Sequence, residues 1–101
     1  MPESIEEFRK SVESSKEHLD IVHQASSILS NYQNVWKPKW QSAKTEQERQ
    51  SLLCDLAMLR AKLRIVDDVE VLLFPDYGKM FSEWKEKRRK EPSGLEMIYD
   101  F

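Results

Sequence analysis

The stretch SLLCDLAMLRAKLRIVDDVEVLL, residues 51–73, carries apolar residues at helical spacing on two separate faces. The first face consists of Leu52, Leu56, Leu59, Leu63, Val66 and Leu73. The second face consists of Cys54, Met58, Ala61, Ile65, Val69 and Leu72. At about 100° per residue the two faces are centred roughly 140° apart, so each needs cover from a different neighbour. The pattern predicts a long helix with packing partners on two sides.

The composition of the whole chain favours an all-helical domain. Of its 101 residues 40% are hydrophobic and 34% are charged, but only 2 are Gly and 4 are Pro. So few turn-forming residues do not suit the many short strands of a β-sandwich or barrel. At this length folding removes only about 60 to 70% of the chain's surface from water, so we expect a thin core. We predict the all-α class, with a single helical domain over residues 1–91.

Two capping boxes indicate where the first two helices begin. Ser4 with Glu7, and Thr45 with Glu48, have the spacing at which a hydroxyl and a carboxylate each satisfy an unpaired backbone N–H. Each box therefore predicts a helix that starts directly after its first residue.

The first predicted helix spans residues 5–36 and the second spans residues 46–74. Pro38 is expected to end the first helix, because proline lacks an amide hydrogen and disfavours helical geometry in the residue before it. The matched lengths and the short connector predict an antiparallel hairpin of two long helices. The pair Asp67-Asp68 leaves open whether the second helix is broken there.

A third, shorter helix is expected over residues 77–90. Its apolar residues recur at a spacing of three or four, and they are Tyr77, Met80, Phe81 and Trp84. Its roughly 14 residues reach only about 21 Å, which covers part of the second face of the long helix. We therefore expect self-association or a protein partner to complete the helical bundle. The predicted partner-binding residues on the second face are Cys54, Met58, Ala61, Ile65, Val69 and Leu72.

Two further groups of residues are candidates for partner binding. Trp36 and Trp40 flank the proline at the tip of the hairpin, where indoles either cap the bundle or contact a partner. The tail, residues 92–101, has a near two-residue period in which Leu95, Met97, Tyr99 and Phe101 alternate with Glu96, Ile98 and Asp100. This period predicts an extended segment suited to docking on another surface. Its candidate contact residues are Met97, Tyr99 and Phe101.

The positive end of the third helix is the basis of an alternative, a nucleic-acid-associated factor. The candidate phosphate-binding residues are Lys79, Lys85, Lys87, Arg88, Arg89 and Lys90. However, cations at a helix C-terminus are expected from the helix dipole alone, and the net charge of the chain is -2. A small inhibitor or immunity-type protein is a further alternative, although so mild a charge supports it weakly.

The sequence contains no motif for catalysis, for metal binding or for a cofactor. Asp20 and His23 lie one turn apart, but the second helix has no histidine to complete a di-metal site. Cys54 lies on an apolar face and no glycine-rich turn exposes it as a nucleophile, so packing is its expected role. The acidic residues Asp67, Asp68 and Glu70 are expected to form a solvated face.

These observations together predict a non-enzymatic protein–protein interaction module, either an adaptor or a small subunit of a larger assembly, without cofactors. The single cysteine favours a reducing compartment. The first residues contain no apolar segment typical of a signal peptide, and no apolar run reaches 18 residues. We expect a cytoplasmic or nuclear protein that does not associate with membranes.

Overall fold

The computed structural model describes residues 4–90 and 96–99, apart from the side chains of Phe81 and Glu96. Every secondary-structure element in these ranges is helical, which confirms the predicted all-α class. The elements in chain order are α1 (Ile5–Glu13), α2 (His18–Asn31), a π-helical turn (Tyr32–Trp36), α3 (Lys37–Ser42), α4 (Glu46–Leu73), α5 (Pro75–Lys90) and α6 (Glu96–Tyr99).

The long helix α4 begins at the predicted capping box and continues unbroken through Asp67-Asp68. The Thr45 hydroxyl accepts a hydrogen bond from the backbone N–H of Glu48 at 3.1 Å. The Glu48 carboxylate in turn accepts one from the backbone N–H of Lys44 at 3.2 Å. The helix ends one residue earlier than predicted, at Leu73, where the proline at position 75 keeps the preceding residue out of helical geometry.

The prediction of one helix over residues 5–36 is wrong, because residues 14–17 separate α1 from α2. The hydroxyls of Ser14 and Ser15 both donate to the backbone carbonyl of Ser11, at 2.9 and 3.3 Å. Gln24 donates to the Ser15 hydroxyl at 3.1 Å. Serine side chains that bond to nearby backbone groups compete with the helical hydrogen bonds. The run of serines therefore provides an alternative to the helix, and the chain changes direction there.

Pro38 does not end a helix but lies in the first turn of α3, which corrects a second prediction. The π-helical turn precedes it, and the backbone N–H of Lys37 bonds to the carbonyl of Tyr32, five residues earlier. This shift in hydrogen-bond register starts a new first turn, in which proline's missing N–H costs no helical bond. The helical path consequently continues to Ser42.

The helix α4 is the centre of the fold, since every other helical element contacts it. Trp36 of the π-helical turn is almost completely buried, and its indole N–H donates to the carbonyl of Leu52 at 2.6 Å. The buried apolar residues form one core cluster of Phe8, Val12, Ile21, Ala25, Ile28, Leu29, Tyr32, Trp36, Leu52, Leu56, Leu63, Ile65, Val66, Val69, Ile98 and Tyr99. The single first helix of the predicted hairpin is thus replaced by several shorter elements around α4.

The helix α5 packs closely against α4 at Gly78. A Cβ atom at this position would lie 2.9 Å from the Cα of Val71. Glycine therefore lets the two backbones approach more closely than any other residue would. The helix starts at Pro75, two residues before the predicted start, because proline is well suited to the first position of a helix.

The predicted extended tail is wrong for residues 96–99, which form α6. Ile98 and Tyr99 are buried, and α6 contacts both α4 and α5. Arg60 of α4 donates to the backbone carbonyl of Met97 from Nε at 3.0 Å and also from Nη2. Phe101 lies outside the described residues.

Candidate functional site

The second apolar face of α4 is covered by the chain's own helices over only part of its length. Ile65 and Val69 are 3% and 5% exposed, so they are core residues rather than contacts for a partner. Ala61 is half-buried, whereas Met58 and Leu72 are 42% and 79% exposed. Cys54 is also exposed and does not have the packing role expected for it. Intrachain cover of this face is thus nearly complete at Ile65 and Val69 and incomplete at the other positions.

The two tryptophans of the predicted partner site lie mainly inside the fold. The rings of Tyr32, Trp36 and Trp40 stack in succession, with 5.3 Å between the centroids of each neighbouring pair. Trp40 is half-buried, and the guanidinium of Arg49 lies 5.6 Å from its ring centroid. This stack caps the end of the core. Capping was the alternative to partner binding for Trp36 and Trp40.

Exposed apolar side chains are concentrated around the turn from α4 to α5. Among the described residues, five of the ten large apolar side chains that are exposed lie within residues 71–80. We call them the corner patch, and its members are Val71, Leu72, Leu73, Tyr77 and Met80. Tyr77 and Met80 lie one turn apart on α5, with the charged side chains of Asp76 and Lys79 exposed beside them. Charges of both signs therefore lie beside the apolar residues of the patch.

A hydrogen bond between His18 and the buried Glu70 joins α2 to α4 behind the corner patch. The carboxylate of Glu70 is completely buried, and its Oε2 lies 2.9 Å from Nε2 of His18. The His18 ring stacks on Tyr77 with 4.2 Å between centroids and meets Phe74 edge-on at 5.3 Å. Oε1 of Glu70 has no hydrogen-bond partner among the described residues. The pair fixes the start of α2 against the end of α4.

Burial raises the pKa of the Glu70 carboxyl above its ordinary value of 4.5. The neighbouring His18 lowers this pKa, the charge of Asp67 raises it and the charge of Lys85 lowers it, but burial has the largest effect. The expected solvated acidic face is therefore wrong for Glu70. The sequence did contain a signal, because position 70 continues the first apolar face four residues after Val66.

A second set of polar groups lies where α5 and α6 meet α4. Lys85 forms an ion pair with Asp67, whose Oδ1 has no partner among the described residues. The hydroxyl of Tyr99 is likewise buried without a described partner, and burial together with the charge of Asp67 raises the pKa of its phenol. Of the predicted tail contacts, Tyr99 is thus buried inside the chain, and Met97 packs against the core while its carbonyl binds Arg60.

The candidate phosphate-binding residues do not form a single uncompensated surface. Lys85 is paired with Asp67, Arg88 lies 5.5 Å from the ring centroid of Trp84, and Arg89 lies 3.9 Å from Glu86. The other three members are exposed, and they are Lys79, Lys87 and Lys90. The positive charge of α5 is thus divided among intrachain contacts and solvent.

Within residues 4–90 and 96–99, no three His, Cys, Asp or Glu side chains are arranged to hold a metal ion. His18 contacts a carboxylate that could orient it as a base, but the structure places its ring between Tyr77 and Phe74. The contact between His18 and Glu70 thus links α2 to α4. None of the described helices combines the length and apolar character needed to cross a bilayer.

Comparisons of the chain with protein-family models, with curated proteins and with solved structures gave no match.

Proposed function

We propose that this protein is a non-enzymatic helical interaction module that associates with a second copy of itself through the corner patch. The observation on which the proposal depends is the exposure of Leu72 and Met80, at 79% and 64% of their surfaces. Such a dimer would act as an adaptor or a small subunit of a larger assembly. We expect it in the cytoplasm or nucleus.

The hydrophobic effect supports association at this surface. Complete burial of a side chain such as Leu72 or Met80 contributes about 1.5 to 3 kcal/mol. Soluble monomers rarely expose large contiguous apolar patches, and those that do generally use them for binding. Since Val71, Leu73 and Tyr77 are also about half exposed, a partner would remove several large side chains from water together.

The charges beside the patch favour a second copy as the partner. In a two-fold symmetric interface the same surface is used twice, so residue i of one copy meets residue j of the other and the reverse. Asp76 and Lys79 are both exposed and lie on the same short segment of α5. A two-fold arrangement therefore allows each Asp76 to approach the Lys79 of the other copy around an apolar centre.

The two alternative functions have weaker support. Three of the six candidate phosphate-binding residues have contacts within the chain, which reduces the charge available for nucleic acid. The net charge of -2 gives an inhibitor of a basic site little electrostatic attraction.

Substitution in the patch tests the proposal. Leu72→Asp should convert the dimer to a monomer, because a buried charge without a partner strongly opposes association. The measurement is sedimentation velocity over a range of chain concentrations, with helicity checked by circular dichroism. Leu53→Asp is the matched control, since Leu53 is also exposed on α4, at 41%, but far from residues 71–80.

The control variant should remain dimeric. A parent chain that sediments as a monomer at every concentration would contradict the proposal, and so would equal dissociation of both variants.

A further inference from the structure

A groove lies between α1 and α4, and none of its lining residues belongs to the corner patch. Its volume is about 350 Å³, within the range of roughly 300 to 1,000 Å³ found for small-molecule sites. Its apolar lining consists of Ile5 from α1 with Ala57, Ala61 and Ile65 from α4. Small alanine side chains at two positions facing α1 leave room that larger residues would fill. The groove thus offers an apolar surface to the body of a ligand.

The charged side chains around this groove are mainly positive. They are Arg9 from α1 and Arg60 and Arg64 from α4, together with the single carboxylate of Asp68. The lining therefore has a net charge of +2, although the whole chain has a net charge of -2. An anion is attracted to this part of an otherwise acidic molecule.

Arg60 is held in position by α6. Its Nε donates to the carbonyl of Met97 at 3.0 Å, and Nη2 donates to the same oxygen. Because a carbonyl is neutral, this contact orients the guanidinium without neutralising its charge. A guanidinium has five N–H donors in a planar fork, so donors remain for a second acceptor. Arg60 is therefore preorganised for a carboxylate.

Arg9 contributes from the opposite wall. It lies one helical turn after Ile5, so the two side chains are on the same face of α1 and line the groove together. Its side chain is exposed and forms no ion pair or hydrogen bond with the other residues that the structure describes. Cations thus face the groove from both helices, with aliphatic side chains between them.

We propose that this groove binds a small organic carboxylate with a short aliphatic or aromatic body. The guanidiniums of Arg9 and Arg60 would bind the carboxylate, because a guanidinium can form paired hydrogen bonds with a carboxylate. Ile5, Ala57 and Ile65 would contact the apolar body. None of the groove residues belongs to the corner patch, so different variants test ligand binding and self-association.

The test is a titration of the full chain with octanoate at low ionic strength, followed by amide chemical shifts and by calorimetry. Octanoate should perturb amides of α1 and of residues 57–68 in α4. Octanol, which lacks the charge, and acetate, which lacks the body, should both bind at least about tenfold more weakly, because each loses one of the two contributions.

Two variants distinguish a built site from general attraction. Arg9→Gln should weaken octanoate binding by about tenfold or more, since it removes a charge-assisted hydrogen bond. Ala61→Leu should also weaken it by filling the groove. Arg49→Gln makes the same chemical change at an exposed arginine near Trp40 and should leave the affinity unchanged.

Thermal unfolding followed by circular dichroism identifies any variant that fails to fold. Three results would overturn the proposal: the absence of octanoate shifts in the groove, equal binding of octanol or acetate, and equal weakening by Arg9→Gln and Arg49→Gln.

Discussion

Glu70 is a carboxylate in an apolar core with an imidazole as its described hydrogen-bond partner. Leaving a buried carboxylate oxygen without a hydrogen bond is costly, and Oε1 of Glu70 is in this situation. The hydrogen bond with His18 therefore offsets only part of the desolvation of Glu70. Its structural contribution is to fix α2 against α4.

The protonation of Glu70 should make stability depend on pH. Burial raises the pKa of Glu70, so the folded chain holds this proton more tightly than the unfolded chain does. The resulting contribution to stability is complete below the ordinary pKa of 4.5 and is lost as the pH rises through the raised value. Glu70→Gln keeps a neutral group of similar shape and does not undergo this loss.

The measurement is urea denaturation of the parent and of Glu70→Gln between about pH 4 and about pH 8. The free energy of unfolding of the variant, minus that of the parent, should become more positive as the pH rises. Glu83→Gln, an exposed glutamate on α5, is the matched control and should show no such trend. A difference for Glu70→Gln that is constant or decreases with pH would refute this account.

At the scale of elements, the contact between α4 and α5 depends on the absence of a side chain at Gly78. In an open helix, alanine in place of glycine would stabilise by about 1 kcal/mol. Here the added Cβ would lie 2.9 Å from the Cα of Val71, which is backbone and cannot rotate away. The clash of the added Cβ with Val71 should therefore outweigh the stabilisation that alanine gives through its higher helix propensity.

Gly78→Ala should consequently lower the free energy of unfolding by about 1 to 3 kcal/mol, as overpacking does elsewhere. Chemical denaturation of the variant provides the measurement, and Lys87→Ala, at an exposed position of α5 outside the corner patch, provides the comparison. An increase in stability for Gly78→Ala would show that α5 does not approach α4 as closely as the structure describes.

The elements also show which parts of the fold can be predicted from sequence. α4 was predicted to within one residue, because its capping box and the proline after it are strong local signals. The break at residues 14–17 was missed, because apolar residues such as Val12 and Leu19 keep helical spacing across it. Leu19 is in fact 61% exposed, so this periodicity did not indicate burial.

The candidate sites were harder to predict than the helices. The groove requires α1 to lie across α4, and the arginines that line it come from two helices whose contact the sequence does not specify. The second apolar face of α4 predicted incomplete cover, and Leu72 is indeed exposed. The burial of Ile65 on the same face could not be predicted, because the sequence does not specify which helices cover it. Local sequence signals thus predict the helices, whereas the candidate sites depend on how distant helices pack against one another.

At the scale of the whole molecule, dimerisation should couple stability to concentration. If the corner patch is buried only in the dimer, mass action stabilises the folded state as the chain concentration rises. The thermal midpoint of the parent should therefore increase with concentration, whereas that of Leu72→Asp should stay constant. Scanning calorimetry at several concentrations measures both. A concentration-independent midpoint for the parent would contradict the dimer, and Leu53→Asp should behave as the parent does.

The central position of α4 also has a consequence for the order in which the fold can open. Every other helix contacts α4, so any one of them can detach while the backbone hydrogen bonds of α4 persist. Amide protons in the middle of α4 should consequently be the last to exchange with solvent, and those of the short helices α1 and α6 should exchange earlier. Because α1 forms one wall of the groove, transient opening of α1 would widen the route by which a ligand enters it.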